Sequence, residues 1–377
     1  MRVHGLLILA MSAASGACPR DAHLPALEAS HTVAVGAGPS DVAAGDLDRD
    51  GALDLVSANG DSRTISVRLQ RDGTWVPGPG DPLPVAVAPH MVAVGDLDRD
   101  GDLDVVATAH DSGAVFAWLG DGTGRFSPAR GSPFGVFPTG HPHNHGLAVG
   151  DLDGDGDADI VVADQNARAA GVLLADGKGR LAPAPASPVV LGAAPYPPAL
   201  GDIDRDGRLD LVVPLIGGQA VAVLLGDGAG GFRPAPGSPV RTVWPRPYAV
   251  MLGDLDRDGT LDVVAAHDDT DEISVLLGDG HGGLRAAPGS PVALGWRIWR
   301  GALVDLDGDG ALDLVAPGSG SLVIARGDGH GRLALLRREP VGGWTAIAAD
   351  LDGDGRPDVV APEPNAAVLR IWLSHQP

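Results

Sequence analysis

The sequence predicts an all-β fold, a seven-bladed β-propeller with four-stranded antiparallel blades, and three observations carry that expectation. An acidic stretch, GDLDRDGALD at residues 45–54, returns in close variants from Gly95, Gly150, Gly201, Gly253, Val304 and Ala349. Its first aspartates lie 50, 55, 51, 52, 51 and 45 residues apart, the fixed period of a repeat architecture. Between the acidic stretches run short apolar segments punctuated by turn residues: the chain has 56 glycines and 32 prolines, and none of its segments sustains a 3.6-residue apolar period. Finally, a sheet of about fifty residues cannot bury both its faces alone, whereas seven such sheets packed around an axis can.

Residues 198–243 show the unit. PALGD enters the acidic stretch as a first strand, and LDLVVPL leaves it as an apolar second strand of the kind buried on both faces. QAVAVLLGDG is a third strand ending in Asp227-Gly228, a pair suited to a tight hairpin. GSPVRTV is the expected fourth strand. The last repeat reaches a third strand, AVLRIWL at 367–373, without a fourth. HTVAVG at 31–36 resembles the fourth strands SPVVLG (187–192) and SPVALG (290–295), so it is expected to complete the last blade and close the ring.

The acidic stretch spaces carboxylates at loop positions 1, 3, 5 and 9, with glycine at position 6 for a sharp turn. The seven quartets are Asp46, Asp48, Asp50 and Asp54; Asp96, Asp98, Asp100 and Asp104; Asp151, Asp153, Asp155 and Asp159; Asp202, Asp204, Asp206 and Asp210; Asp254, Asp256, Asp258 and Asp262; Asp305, Asp307, Asp309 and Asp313; and Asp350, Asp352, Asp354 and Asp358. This is the oxygen pattern of a loop that wraps a calcium ion, and position 7 would add a backbone carbonyl from Ala52, Asp102, Asp157, Arg208, Thr260, Ala311 and Arg356. Calcium at about seven sites is therefore the expected cofactor. An EF-hand is excluded because position 12 carries Ser57, Ala107, Val162, Val213, Ala265, Ala316 and Ala361, none acidic, and the loop exits into a β-run.

The net charge of −22 argues against nucleic acid as a partner. Most of that charge sits in the loops, which hold 28 of the 49 acidic residues, and seven divalent ions would bring it to about −8. The single cysteine, Cys18, permits no intramolecular disulfide. It follows MRVHGLLILAMSAASGA, a short apolar core after one early charge, which is expected to be a signal peptide over residues 1–17. The small-residue run ending in cysteine is similar to the bacterial lipoprotein signal, so a lipid anchor at Cys18, a linker over 18–30 and a propeller over 31–377 are the expected organisation. The expected product is an exported monomer, periplasmic, attached at the cell surface or secreted.

With the GDLDRDGxLD loops, the LVV runs that follow and the LLGDGxGxF hairpin, fullest at Leu224 to Phe232, the chain resembles the FG-GAP or VCBS repeat family, whose best-known members are the propellers of integrin α chains. The resemblance spans roughly residues 31–373. It implies calcium in the loop between the first two strands of each blade. It also implies a fold that serves adhesion, carbohydrate binding and, in some members, polysaccharide cleavage.

If the acidic loops form one face, the connections between second and third strands and between fourth and first strands form the other, where a ligand site is expected. That face would gather His90, His110, His141, His143, His145 and the segment starting at His267, with Trp244, Arg246, Tyr248, Trp296, Arg297, Trp299, Arg300 and Trp344. Of these, His90, His143, His145, Tyr248, His267, Trp299, Arg300 and Trp344 are the candidate ligand residues. Three readings compete: a binding or adhesion module for a glycan or protein ligand, a polysaccharide-active lyase-like enzyme or metal centre built on the histidines, and plain packing of the tryptophans between blades. No GxSxG, HExxH, Walker or dinucleotide motif is present, so no residue is assigned a catalytic role and binding is the preferred reading.

Overall fold

The computed structural model describes residues 26–137 and 142–375. The stretch expected to be a signal peptide, Cys18 and His141 lie outside the described residues. Those described form seven antiparallel sheets and no helix, and six of the sheets place their strands in chain order from first to fourth, the last blade taking its fourth strand from the N-terminal side. The third blade is representative: Asn144–Gly150, Asp159–Asp164 and Ala169–Ala175 pair in succession, and Leu181–Pro183 follows on the outside.

Burial follows the alternation expected of sheets stacked face to face. The second strands are buried along almost their whole length, as in Asp104–Ala109 and Asp210–Leu215. The apolar side chains they project divide into seven clusters, one at each junction between neighbouring blades. Val33, Val42, Leu55, Leu351, Val360, Leu369 and Ile371 make the seventh, where the last blade meets the first. The ring is therefore closed by side-chain packing as well as by pairing. Ala26–Ala34 runs antiparallel to Val368–His375 as the fourth strand of the last blade, with His31 opposite Ile371 and Val33 opposite Leu369. This strand begins at Ala26, inside the 18–30 segment expected to be a linker.

The fourth strands differ from the expectation of one continuous GSPVRTV-type strand. In blades one to five the fourth strand is two short pieces on the same third strand; in blade four, Phe232–Pro234 pairs with Leu224–Gly226 and Val240–Arg241 pairs with Ala220–Val221. A side chain satisfies the backbone between the pieces: Val223 N donates to Ser238 Oγ at 2.9 Å, as Ala117, Val172 and Val275 donate to Ser132, Ser187 and Ser290. Where the fourth strand breaks between its two pieces, the serine of each GSP stretch gives the third strand's amide the acceptor that a continuous strand would have supplied as a backbone carbonyl.

Glycine before the first loop aspartate has a packing reason. A Cβ on Gly45, Gly150, Gly201 or Gly253 would lie 2.5 to 2.7 Å from the leucine at position 8 of the next blade's loop: Leu103, Leu209, Leu261 or Leu312. The bare backbone lets adjacent blades approach at the loop face.

Candidate functional site

The two faces of the disc are built in different ways, and the acidic loops are the more regular. In all seven blades the position-6 amide donates to the position-1 carboxylate, from Gly51 to Asp46 at 3.1 Å through Gly355 to Asp350 at 2.9 Å. The position-7 amide likewise donates to the position-5 carboxylate in every blade, as Ala311 does to Asp309 at 2.7 Å. These bonds coil the loop so that its carboxylates converge: oxygens of Asp46, Asp48 and Asp50, of Asp96, Asp98 and Asp104, and of Asp151, Asp153 and Asp159 lie within 4.8 Å of one another.

The position-9 aspartate is also a strut. One oxygen accepts from the amide at loop position 2 and the other from the third strand, as Asp104 does from Leu97 at 2.7 Å and Gly120 at 2.8 Å. The same pair of bonds is made by Asp54, Asp159, Asp210, Asp262, Asp313 and Asp358. Two amide donors per carboxylate favour its charged form, but burial outweighs them. It pushes the Asp104 carboxyl up to about 8 and those of Asp159 and Asp313 to about 7, with the loop's other carboxylates adding to the rise.

Whether these residues fit a calcium ion can be judged from the oxygens left over. Asp46 Oδ1, Asp96 Oδ1, Asp98 Oδ1 and Asp305 Oδ1 are buried and accept no hydrogen bond. Unpaired buried carboxylate oxygens that face each other are unfavourable without a counter-charge. A hard divalent cation with oxygen ligands matches that donor set.

Sequence reasoning missed position 4. Its residue adopts a left-handed backbone in every blade, with φ of 59°, 60°, 63° and 62° at Arg49, Arg99, Arg205 and Arg257 and of 73° to 76° at Gly154, Gly308 and Gly353. Three of the arginines reach the next blade's loop. Arg49 pairs with Asp102 and donates to Asp100 O at 2.9 Å, Arg99 pairs with Asp155, and Arg257 donates to Asp309 O at 2.8 Å. The signal was available, because only arginine and glycine occur there.

On the opposite face the structure brings together one residue per blade. Ser40, His90, His145, Tyr196, Tyr248, Trp299 and Trp344 each stand six residues before the first loop aspartate of their blade. From His145 the rings touch in sequence around the ring of blades: His145 stacks on Tyr196 at 4.1 Å between centroids, Tyr196 meets Tyr248 at 4.8 Å, Tyr248 meets Trp299 at 5.1 Å and Trp299 meets Trp344 at 4.8 Å. His90 extends the arc, 6.3 Å from His145, and Ser40 Oγ donates to the His90 carbonyl at 2.8 Å. Tyr196 was not foreseen, although its register would have found it. Within the arc Trp299 is 9% exposed and Trp344 is 49% exposed. The first is packed and the second presents an open ring.

Arg300 and His267 serve other ends. The Arg300 guanidinium pairs with the buried Asp41 of the first blade and donates to Thr345 Oγ1 at 3.1 Å, tying blades six, seven and one together. His267 is 1% exposed, with one ring nitrogen 3.0 Å from Pro245 O and the other 2.9 Å from Ser274 Oγ, which makes it a satisfied core histidine. His90, His143 and His145 do converge, and His110 joins them, its ring 3.8 Å from that of His143 and 4.6 Å from that of His145. Burial, reinforced by the neighbouring imidazoles, pushes His145 down to about 3 and lowers His90 and His143 as well, so these three imidazoles favour the neutral form near pH 7.

Comparison with known proteins agrees with this architecture. The FG-GAP-like repeat family matches residues 46–107, 96–162, 151–213, 254–316 and 305–361. No curated protein matches the chain. Among solved structures it is similar to BBS1N in complex with ARL6DN, at 13% identity and a TM-score of 0.63 over 95% of this chain and 98% of that one. It is also similar to an Agrocybe aegerita lectin described by its recognition of non-reducing terminal N-acetylglucosamine, at 19% identity and a TM-score of 0.56 over 81% of this chain and 80% of the lectin. A protein from Lactobacillus plantarum matches at 18% identity and a TM-score of 0.57 over 81% of this chain and 86% of its own. Identities this low speak to the fold alone. The family matches, by contrast, cover well over half of the sequence in register with its acidic loops, and the chain belongs to the FG-GAP-like repeat family.

Proposed function

We propose that the chain is a binding module that holds a glycan against the aromatic arc on one face, while calcium in the acidic loops braces the other. The observation that carries this reading is the register of the arc: the same position in successive blades supplies Tyr196, Tyr248, Trp299 and Trp344, ring against ring. Aromatic rings with a polar handle are apolar on their faces and hydrogen-bonding at their edges, which suits the mixed surface of a sugar. Trp344 gives that surface its open end. A propeller lectin among the similar structures supports the ligand class. A protein ligand is the second reading, favoured by the exposed Trp244 and Trp296 outside the arc, since exposed tryptophans anchor protein interfaces.

Calcium would be held by the carboxylates at loop positions 1, 3 and 5 and the carbonyl at position 7, and it would supply the positive charge that the buried, unpaired oxygens lack. Export through residues 1–17, with a lipid anchor at Cys18, belongs to the same reading, because extracellular modules work with abundant calcium.

The test is a glycan array and a pull-down with the calcium-loaded protein and its Trp344→Ala variant. Glycans retained intact by the parent and lost by the variant support the reading. A silent array together with a protein captured through Trp344 would move it to the second. Binding that ignores Trp344 in both assays would overturn it.

A further inference from the structure

We propose that His110, His143 and His145 form a site for one divalent transition ion of the zinc class, separate from the acidic loops and on the opposite face. A ring nitrogen from each of the three lies within 4.8 Å of the other two. A tetrahedral ion bonded at about 2.0–2.1 Å sets its ligand nitrogens a little over 3 Å apart, so side-chain movement of about 1 Å seats it. The three come from two blades, His110 at the end of the second blade's second strand and His143 and His145 at the start of the third blade. Their approach is therefore fixed by the junction between blades and not by one mobile loop.

A second, independent observation points to a ligand. His145 is 91% buried, yet its Nε2 is buried with no hydrogen-bond partner. A buried imidazole nitrogen normally finds a donor or acceptor, and His267 in this same molecule satisfies both of its own. Orphaned Nε2 beside two other imidazoles is the arrangement that a metal completes.

The surroundings agree with that use. Asp111 Oδ1 lies 3.1 Å from His110 Nδ1 and 3.8 Å from His143 Nδ1. A carboxylate on Nδ1 fixes the tautomer that offers Nε2 to a metal and holds the ring in orientation. The side chains of His110 and His143 are partly exposed, which gives an ion a path in, whereas His145 forms the floor. Imidazoles select borderline ions such as zinc, cobalt, nickel or copper, and calcium prefers the oxygens of the other face.

The experiment uses the full chain with its loops saturated in calcium. Zinc is titrated calorimetrically, and cobalt is titrated while the visible absorption of a nitrogen-bound, low-coordinate ion is followed. One site per chain is expected, with zinc affinity reduced at least tenfold in His110→Ala and in His143→Ala and about tenfold in Asp111→Asn. Asp204→Ala, in a loop of the opposite face, should leave zinc affinity unchanged. The two histidine variants are chosen because both side chains reach solvent, so loss of folding, checked by circular dichroism, is not expected; His145→Gln, which keeps the bulk of the buried side chain, repeats the test at the floor. Zinc affinity unaltered by His110→Ala and His143→Ala, or reduced equally by Asp204→Ala, would overturn the proposal.

Discussion

The two faces of this propeller answer to different demands. On one, seven loops repeat the same four aspartates and the same amide-to-carboxylate bonds, blade after blade. On the other, one equivalent position runs from serine through histidine and tyrosine to tryptophan. Each loop faces an identical backbone problem, a sharp turn that must satisfy its own amides and pin the third strand, and the chain solves it identically every time. The position six residues before the loop makes no such repeated side-chain bond to the backbone from blade to blade. Whatever ring fits beside its neighbours is admissible there, so that position is free to carry chemistry.

The contrast breaks first if the loops need no ion. Calcium analysis of the purified protein should give about seven ions, and chelation should produce the largest loss of stability of any treatment. Ligand bound only by the folded state at a hundredfold excess over its dissociation constant adds roughly 2.7 kcal/mol per site. Calorimetric melting with and without chelator checks this, and an unchanged melting temperature would leave the loops as self-sufficient turns. Next in size is ring closure. Removing residues up to Ala34 strips the pairing of Ala26–Ala34 with Val368–His375 and part of the seventh core cluster, a loss on the order of 5 kcal/mol if each of several lost hydrogen bonds contributes about 1 kcal/mol. Removing only residues 1–25 should leave the melting temperature where it was. Equal melting of the two truncations would mean that the last blade does not depend on this strand.

Much of this was legible in the sequence because repetition makes a one-dimensional signal of a three-dimensional one. The period, the loop spacing and the strand borrowed from the N-terminal side could be read without coordinates. The split fourth strands could not, since nothing in GSPVRTV announces that Ser238 Oγ will replace a backbone rung. The arc was legible in parts only: His90, His145, Tyr248, Trp299 and Trp344 were singled out by chemistry, whereas Tyr196 shows its place only through its register, six residues before Asp202. Arg300 and His267 were misplaced for a related reason. Exposure and pairing of a polar side chain depend on which blade it meets, and residue type does not reveal that.

A third test compares two kinds of aspartate in one loop. Asp104 accepts from Leu97 and Gly120 with both oxygens in a fully buried setting, whereas the Asp100 carboxylate is exposed and accepts from the loop amide of Asp102. Asp104→Ala leaves two buried amides without partners and should cost about 3 kcal/mol even with calcium removed. Asp100→Ala in chelator should cost much less, about 1 kcal/mol. Denaturant titration of the two variants reads the difference; equal losses would mean that position 9 matters only through a bound ion and is no strut.

The smallest effect on stability is expected where the effect on binding is largest. Trp299 and Trp344 are successive members of the arc, 4.8 Å apart, but the first is packed and the second half open to solvent. Replacing a buried tryptophan by alanine opens a cavity and costs about 3–5 kcal/mol. Truncating an exposed one away from core packing stays within about 0.5 kcal/mol. Trp344→Ala should therefore melt with the parent while losing ligand, and Trp299→Ala should lose both stability and ligand. If Trp344→Ala melted as low as Trp299→Ala, the arc would be blade packing throughout, its rings chosen for one another and not for a partner. If both variants kept the ligand, the arc would have no part in recognition, and the binding surface would have to be sought at the exposed Trp244 and Trp296.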